Sequence, residues 1–587
     1  MSDVVAEKAP PSVATPARRR RPPEGLVATV GSVVGAIVMV WLIPPYARDL
    51  FSGGTKPATI ANPVHTIIGD GGDSTAQAWL MAWDGHSLLH GLQGLWATNA
   101  FYPDRYALAL NDSLFGYVPA GLIGNGVTAA ILRYNIVFVL AFALVIFGGY
   151  ALLRQLGANP VASALAGAAL AFAPWRYGHV GHLNILSTGG ITLAFAMLAR
   201  GHGWSLTHGF RRDRVRPGWA VAGWLVAAWQ VSLGFAVELG FVYLLAVAFL
   251  CGLVGWLVRG RPSLGRRLIV GDLVGGVVFT VVTLYFAYAY QQIRTLYPNV
   301  TRSWDYIAAF SPTPRGLLVS PAFSLLWGDR HQDARTALGN AANEKALLCG
   351  FVLYFLAFAG MFISAWTLRQ RLLMLAGTVL GVLFALGTNG PAYRLLYLYV
   401  PGFDGSRTPG RLILWPTILL AVLAAGFVTE LARTARVATL PQWSFAAAQV
   451  VTVPLLILVL LEGMPDMAHV ALPAEPAAMR AAPAPMIVLP SDDGADSNIM
   501  LWSTDGFPEM VNGVASYTTP NHQAIRDAMQ TFPSPESLNL LRQWGIRSVV
   551  VVRDRVSGTP YESALDVLDV PGVTRQDIGP DVLFTLG

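Results

Sequence analysis

The chain has 587 residues, of which 54% are hydrophobic and only 13% are charged, and its formal net charge is +6. Soluble domains carry roughly 25% charged residues, so an ordinary soluble protein, a disordered chain and a disulfide scaffold are all excluded. Many apolar runs approach or exceed the ~18–20 residues that cross a bilayer. These runs are continuous and do not alternate as in a membrane β-barrel. We therefore expect an α-helical polytopic membrane protein.

The positive charge is almost entirely arginine and lies in short segments between the apolar runs. This distribution is typical of a membrane topology signal and not of a nucleic-acid-binding surface. We therefore expect membrane lipid, and no nucleic acid, as a partner. Cys251 and Cys349 lie in different apolar runs, so the sequence indicates no disulfide framework.

Residues 1–25 are rich in proline and alanine and contain the run Arg18–Arg21, which predicts a disordered cytoplasmic tail. A transmembrane domain is predicted over 26–463, with about eleven spans. The predicted spans are 26–43, 135–153, 160–174, 186–200, 217–236, 238–258, 268–290, 346–368, 372–388, 411–431 and 446–462. With these spans, the arginine-rich loops fall on the same side as the N-terminal tail, as the positive-inside rule requires. The prediction is a bacterial plasma-membrane (inner-membrane) protein with a cytoplasmic N-terminus.

Three long segments are then predicted on the outer face: a first loop over 44–134, a second loop over 291–345, and the C-terminal tail 464–587. The weaker apolar stretch 114–132 is interpreted as an interfacial or re-entrant helix, because one more span there would reverse the arginine pattern. The tail is predicted to form a small mixed α/β domain. Its expected strands and helices are Met486–Pro490, Ser548–Val552, Val582–Thr585, His522–Met529 and Ser537–Trp544.

The first loop contains a glycine-rich turn with two carboxylates, Asp70 and Asp73. A helix rich in tryptophan is predicted to follow from Ser74, and Trp79 and Trp83 suit a membrane interface. Asp73 has two interpretations that do not exclude each other. It can cap the N-terminus of this helix, or it can serve as a catalytic carboxylate.

Two histidine pairs have spacings that place both members on one helical face: His179 with His182, and His86 with His90. Such spacing suits metal ligands. Hydrogen-bonding histidines at a membrane interface are the simpler interpretation, and neither pair matches a known metalloenzyme motif.

The order of these elements resembles the GT-C superfamily of integral-membrane glycosyltransferases, in particular large bacterial members. The resemblance covers roughly residues 26–587. The motifs that carry it are Gly72-Asp73-x5-Trp79-x3-Trp83, Asn99-Ala-Phe-Tyr-Pro103, Asp112, Pro174-Trp-Arg-Tyr-x-His179, Arg407-Thr-Pro-Gly-Arg411, Val511–Tyr517 and Trp544–Val552.

The resemblance implies a polyprenyl-phosphate-linked sugar donor, an inverting transfer, and a first-loop carboxylate as general base, which motif alignment places at Asp73. The sequence departs from relatives in two ways. Its first-loop acids are separated by glycines where an adjacent acidic pair is expected, and Asp112 stands where glutamate is expected. Asp70 and Asp112 are therefore expected to support binding of the donor or of a divalent cation, and the need for a metal stays open.

Arginine binds phosphate through its planar, bidentate guanidinium. The candidates for holding the departing phosphate are Arg176, Arg302, Arg407 and Arg411. An equally good role for Arg407 and Arg411 is to anchor a helix end to lipid headgroups. His179 and His182 complete the expected substrate-binding set.

The sequence thus predicts a membrane glycosyltransferase that transfers a hexosyl or pentosyl group to a glycan, lipid or protein acceptor of the cell envelope. Two alternatives stay open: a transporter or flippase of lipid-linked sugars, and a non-catalytic, envelope-binding member of the fold. A transporter buries ionisable groups near the bilayer midplane and often has repeated halves. Here the acids cluster in the loops, which favours the enzyme.

Overall fold

The computed structural model describes residues 22–44, 61–92, 94–258, 260, 264–297, 300–439 and 443–587. Residues 1–21 of the predicted tail lie outside this part, and the first helix already begins at Glu24. The described α-helices are Glu24–Ala36, Asp73–Leu89, Val118–Gly121, Gly126–Leu156, Pro160–Ala171, Leu183–Leu186, Gly189–Gly201, Pro217–Val231, Glu238–Val258, Arg266–Leu296, Trp304–Ala309, Gln332–Thr336, Ala342–Lys345, Phe351–Phe362, Leu368–Ala385, Tyr393–Tyr399, Leu414–Val437, Ser444–Glu462, Ala477–Ala481, Asp493–Trp502, Pro520–Met529, Pro535–Gln543 and Arg553–Val556. The strands are β1 (Thr66–Ile68), β2 (Trp204–Ser205), β3 (Gly209–Phe210), β4 (His469–Ala471), β5 (Met486–Leu489), β6 (Ser548–Val551), β7 (Val573–Ile578) and β8 (Asp581–Leu586).

The protein is a multi-pass helical membrane protein, as predicted. In the described part of the chain, eight helices are long and apolar enough to cross a membrane: Glu24–Leu42, Gly126–Leu156, Leu183–Gly201, Glu238–Val258, Arg266–Leu296, Leu368–Ala385, Pro409–Val437 and Phe445–Glu462. The other three predicted spans are shorter apolar helices, namely Pro160–Ala171, Pro217–Val231 and Phe351–Phe362. Proline accounts for the first case, since Pro160 begins that helix and Pro174 lies just beyond its end.

The stretch 114–132 is not a separate span, in agreement with the sequence analysis. It contains a 3₁₀ turn at Phe115–Tyr117 and one helical turn at Val118–Gly121. Its last part, residues 126–132, forms the first turns of the 31-residue helix Gly126–Leu156.

The first-loop helix Asp73–Leu89 is buried inside the protein. Trp79 and Trp83 are 1% and 8% exposed, so the expectation that their rings face a membrane interface is wrong. The Trp79 indole N–H donates to Asn99 Oδ1 at 3.1 Å, and that of Trp83 donates to the Leu95 carbonyl at 3.0 Å. Because both indole donors are satisfied by the protein, burial of the rings leaves no polar group without a partner.

The C-terminal tail contains the predicted small α/β unit. Its four-stranded sheet has the order β5-β6-β8-β7, with β5 and β6 parallel and the other neighbours antiparallel. Strands β5, β6 and β8 and the helices Pro520–Met529 and Pro535–Gln543 lie where they were predicted. Strand β7 was not predicted, because four of its six residues are polar and none is buried; pairing with β8 stabilises it.

This tail is joined directly to the first loop. Strand β1 of the loop pairs with β4 of the tail. The Tyr102 amide donates to the Met510 carbonyl at 2.9 Å, and the Met510 amide donates to the Asn99 carbonyl at 2.7 Å. Asp104 accepts hydrogen bonds from Thr519 and Asn521. The loop and the tail therefore form one layer, and this layer carries the first-loop acids.

Candidate active site

Asp70, and not Asp73, satisfies the free amides at the start of the first-loop helix. One Asp70 carboxylate oxygen accepts hydrogen bonds from the Gly72 amide (3.0 Å), the Ser74 amide (3.2 Å) and the Ser74 hydroxyl (3.0 Å). Asp73 is the first helical residue, and the preceding Gly72 provides no side-chain cap. The interpretation of Asp73 as the helix cap is therefore wrong, and its carboxylate is available for other contacts.

The Asp73 carboxylate instead meets His182, with 3.0 Å between Oδ2 and Nε2. The Asp73 side chain is 46% exposed, so solvent or a ligand can reach it. Partial burial disfavours the charged carboxylate, but the His182 hydrogen bond and the positive charge of Arg407 outweigh this effect and lower the pKa of Asp73. Asp73 is thus an ionised, accessible carboxylate at neutral pH, which is the form a general base requires.

His182 lies in a turn that packs on the buried side chains of Arg176 and His179. Arg176 is fully buried; it donates to the Thr188 hydroxyl at 3.1 Å and to the Leu186 carbonyl at 2.6 Å. Its expected contact with substrate is contradicted, because its hydrogen bonds hold the turn together beneath the surface. His179 is 1% exposed and contacts the His182 ring with 5.5 Å between centroids. Burial lowers the pKa of His179 well below its ordinary value.

The histidine spacing does not produce a metal site. The chain turns between His179 and His182, so the two do not lie on one regular helix. His86 and His90 do lie on one helix end, where their rings contact each other with 4.1 Å between centroids. Among the described residues, no group of three or more His, Cys, Asp or Glu side chains is arranged to hold a metal ion.

Two residues that the sequence analysis did not select, Gln77 and Asn184, link the first-loop helix to Asp112. Gln77 accepts from the Leu183 amide at 2.7 Å and donates to Asn184 Oδ1 at 3.2 Å. Asn184 in turn donates to Asp112 Oδ2 at 2.6 Å, and the Phe235 amide donates to Asp112 Oδ1 at 2.8 Å. Both Asp112 oxygens are occupied by protein donors, and one Asp70 oxygen is committed to its turn. The two acids therefore do not fit a divalent cation held jointly between them.

The predicted arginine pair meets a carboxylate that the sequence analysis missed, Glu344. Arg407 Nη2 donates to Glu344 Oε1 at 3.0 Å, Arg411 Nη2 lies 3.5 Å from Oε2, and the Thr408 hydroxyl donates to Oε2 at 2.9 Å. Burial disfavours the Glu344 carboxylate, but the charges of Arg411 and Arg407 outweigh this effect and lower the pKa of Glu344 to about 2. One carboxylate thus orients two guanidinium groups and leaves one positive charge in excess.

Asp73, Asp112, His182, Arg407 and Arg411 line a single cavity of about 650 Å³. The first-loop helix, the His182 turn and the segment around Arg407 form part of its wall, and the tail residues 514–517 form another part. The polar lining includes Asp73, Gln77, Asp112, His182, Asn184, Arg294, Arg302, Arg407, Thr408, Arg411, Ser516 and Tyr517. Its apolar lining comes from the helices Glu238–Val258 and Arg266–Leu296, and includes Leu239, Val242, Leu284 and Ala287.

A similar architecture is found in solved structures. The cryo-EM structure of the arabinofuranosyltransferase AftD from Mycobacteria matches with a TM-score of 0.53 at 15% identity, over 96% of this chain and 40% of that one. The fold is GT-C-like. A mutant AftD structure matches with a TM-score of 0.51 at 13% identity. ArnT from Cupriavidus metallidurans in the apo state matches with a TM-score of 0.36 at 13% identity, over 95% of this chain and 97% of that one.

This GT-C-like chain spans about two fifths of the length of the AftD chain. No protein-family model matches the sequence, and no curated protein matches it significantly. The structural likeness therefore defines the fold, and the chemistry has to be argued from the cavity.

Proposed function

We propose that this protein is a membrane glycosyltransferase that moves a sugar from a polyprenyl-phosphate donor to an acceptor of the cell envelope. The observation that carries the proposal is that one cavity contains an ionised, accessible carboxylate, Asp73, together with the excess positive charge of Arg407 and Arg411. Displacement at an anomeric carbon needs a base for the incoming hydroxyl and cations for the departing phosphate.

In the proposed reaction, Asp73 accepts the proton of the acceptor hydroxyl. At the same time the hydroxyl oxygen of the acceptor bonds to the anomeric carbon from the side opposite the phosphate. The bond between that carbon and the phosphate oxygen breaks, and its electron pair leaves with the polyprenyl phosphate. The configuration at the anomeric carbon is inverted. The phosphate gains negative charge during this step, and Arg407 and Arg411 offset it. His182 orients the Asp73 carboxylate through their 3.0 Å contact.

The apolar part of the cavity supports a lipid-linked donor. Leu239, Val242, Leu284 and Ala287 line it and belong to two helices long enough to span a membrane. A prenyl chain can pass between these helices into lipid while its phosphate stays at the polar end. A free nucleotide sugar has no apolar chain to bury against this wall, so the wall would not contribute to its binding free energy.

We further propose that the cavity opens to the outer face of the bacterial plasma membrane, with the N-terminus in the cytoplasm. The arginine distribution supports this orientation. The Asp70 carboxylate is proposed to shape the turn before Asp73, while Asp112 fixes Asn184 and, through it, Gln77 on the wall of the cavity. The tail 464–587 acts as an extracytoplasmic unit that closes part of the cavity.

Asp73→Asn tests the proposed base, because it preserves the size of the side chain and removes its ability to accept a proton. The full-length protein in nanodiscs is supplied with hexosyl and pentosyl polyprenyl phosphates and an envelope extract, and new glycosidic bonds are measured. Transfer should fall by ~10²–10⁴-fold, the usual contribution of general-base catalysis, with the thermal unfolding midpoint unchanged.

Asp70→Asn is the matched control. Asparagine retains an oxygen that can accept the hydrogen bonds of Gly72 and Ser74, so this variant should lose far less activity. Full activity of Asp73→Asn would reject the proposed base. Movement of the lipid-linked sugar across vesicles by the native protein, without a new glycosidic bond, would instead identify a transporter.

A further inference from the structure

Arg302 differs in its pairing from the other arginines of the cavity. Arg294 is paired with Asp404, and Arg407 and Arg411 are paired with Glu344. Within the described residues Arg302 has no carboxylate partner, although it lines the same cavity. Its Nε is buried and without a hydrogen-bond partner. A guanidinium that forms no ion pair with a described carboxylate therefore lines the cavity.

The guanidinium of Arg302 is held in place by aromatic rings and a main-chain oxygen. It lies 4.6 Å from the Tyr306 ring centroid and 3.9 Å from that of Tyr517. Its Nη2 donates to the Ser516 carbonyl, and the Tyr517 hydroxyl donates to the Gly405 carbonyl at 2.9 Å. A guanidinium fixed between two rings loses little further conformational entropy when it binds an anion. This rigidity is a property of a preformed binding group.

Arg302 and Arg407 stand at opposite ends of a ladder of stacked side chains. From Arg302 the ladder passes to Tyr306, then to Phe310 with 5.3 Å between ring centroids, and then to Arg407, which lies 4.9 Å from the Phe310 centroid. Tyr306 lies in the helix Trp304–Ala309, and Arg302 and Phe310 flank this helix, so two aromatic rings stand between the two guanidinium groups. The two phosphates of a diphosphate share a bridging oxygen and therefore lie next to each other. The guanidinium groups of Arg302 and Arg407 are separated by two rings, so one diphosphate is a poor match for both.

We propose that Arg302, held in place by Tyr517 and the Ser516 carbonyl, forms a second oxyanion site, and that the acceptor is a glycan carrying a carboxylate or a phosphate. This inference deepens the proposed function and rests on it, since Arg407 and Arg411 are there assigned to the donor phosphate. The acceptor anion binds Arg302 while its hydroxyl reaches Asp73. The tail segment that contains Tyr517 thereby selects the acceptor.

The inference is tested by binding alone, so that it does not depend on the donor or on turnover. The probes are methyl glucoside, methyl glucuronide and methyl glucoside 6-phosphate, and their binding to the full-length protein in nanodiscs is measured by saturation-transfer NMR. At least one anionic glycoside should bind about tenfold or more tightly than the neutral one, as a charge-assisted hydrogen bond allows. The anionic probe that binds more tightly shows whether the site prefers a carboxylate or a phosphate.

In Arg302→Gln this preference for anionic glycosides should disappear, whereas Arg302→Lys, which keeps the charge but not the planar fork, should retain part of it. Arg315→Gln is the matched control, because Arg315 is exposed in the same loop and does not line the cavity. Arg407→Gln should keep the preference. Thermal unfolding checks that each variant is folded.

Equal binding of neutral and anionic glycosides by the native protein, or no binding of the anionic ones, would overturn the inference. A preference that survives in Arg302→Gln and disappears in Arg407→Gln would also overturn it, because the anion would then occupy the donor end. Failure of the Asp73→Asn test would reject the proposed base but leave these binding results unchanged. The two proposals can therefore fail separately.

Discussion

Glu344 provides a sensitive test of how the arginine pair is held. Glu344→Gln keeps the shape of the side chain but removes the negative charge that Arg407 and Arg411 share. The native environment lowers the pKa of Glu344 from 4.5 to about 2. At ~1.4 kcal/mol for each tenfold change in proton affinity, the ionised carboxylate contributes about 3 kcal/mol to the free energy of unfolding. The Glu344 side chain is 13% exposed, so solvent screening reduces this value little.

The assay is thermal unfolding in detergent, followed by tryptophan fluorescence over a series of pH values. At neutral pH, Glu344→Gln should unfold about 6 °C below the native protein, at the lower end of ~2–4 °C per kcal/mol. A lowered pKa stabilises the fold above the unfolded-state value and loses this effect on acidification. The difference should therefore be constant above pH 4.5 and shrink as the pH falls toward 2.

Asp333→Asn serves as the control, since Asp333 is an exposed acid of the same loop and its substitution should leave the midpoint unchanged at every pH. Equal midpoints of Glu344→Gln and the native protein at neutral pH would refute the reasoning. A difference that persists undiminished toward pH 2 would refute it as well, because it would then arise from packing and not from the ionised carboxylate.

Three further predictions concern chemistry and topology. Arg411→Lys should lose most of the transfer rate, because lysine cannot reproduce a bidentate phosphate contact; equal rates would assign Arg411 to helix anchoring. His182→Gln removes an interaction that lowers the pKa of Asp73, so the acidic limb of the rate profile should move to higher pH, and an unmoved limb would separate His182 from the base. A cysteine at Asp505 should react with an impermeant thiol reagent in intact cells, whereas one placed within 211–216 should react only after the membrane is opened. Labelling in the reverse order would invert the proposed orientation.

The sequence by itself determined the features that depend on local pattern. Continuous apolar runs located the membrane-spanning helices, because each run must bury its own backbone in lipid. Short β-branched runs located β5 and β6 in the tail. The motifs around Asp73 and between Arg407 and Arg411 selected groups that the structure brings into one cavity. The same local reasoning wrongly assigned the helix cap to Asp73. Asp70, which accepts the hydrogen bonds, is separated from the helix by Gly71 and Gly72, and the sequence does not specify the turn that these glycines form.

Only the tertiary structure decided which of these groups meet. His182 contacts Asp73, and Glu344 contacts Arg407, although each pair is far apart along the chain. It also buried Arg176 beneath its turn and brought Tyr517 of the tail against Arg302. Such contacts depend on how the long helices pack and on the pairing of the tail with the first loop. No local pattern of residue types encodes these distances, because the partners come together only when the separate segments share one core.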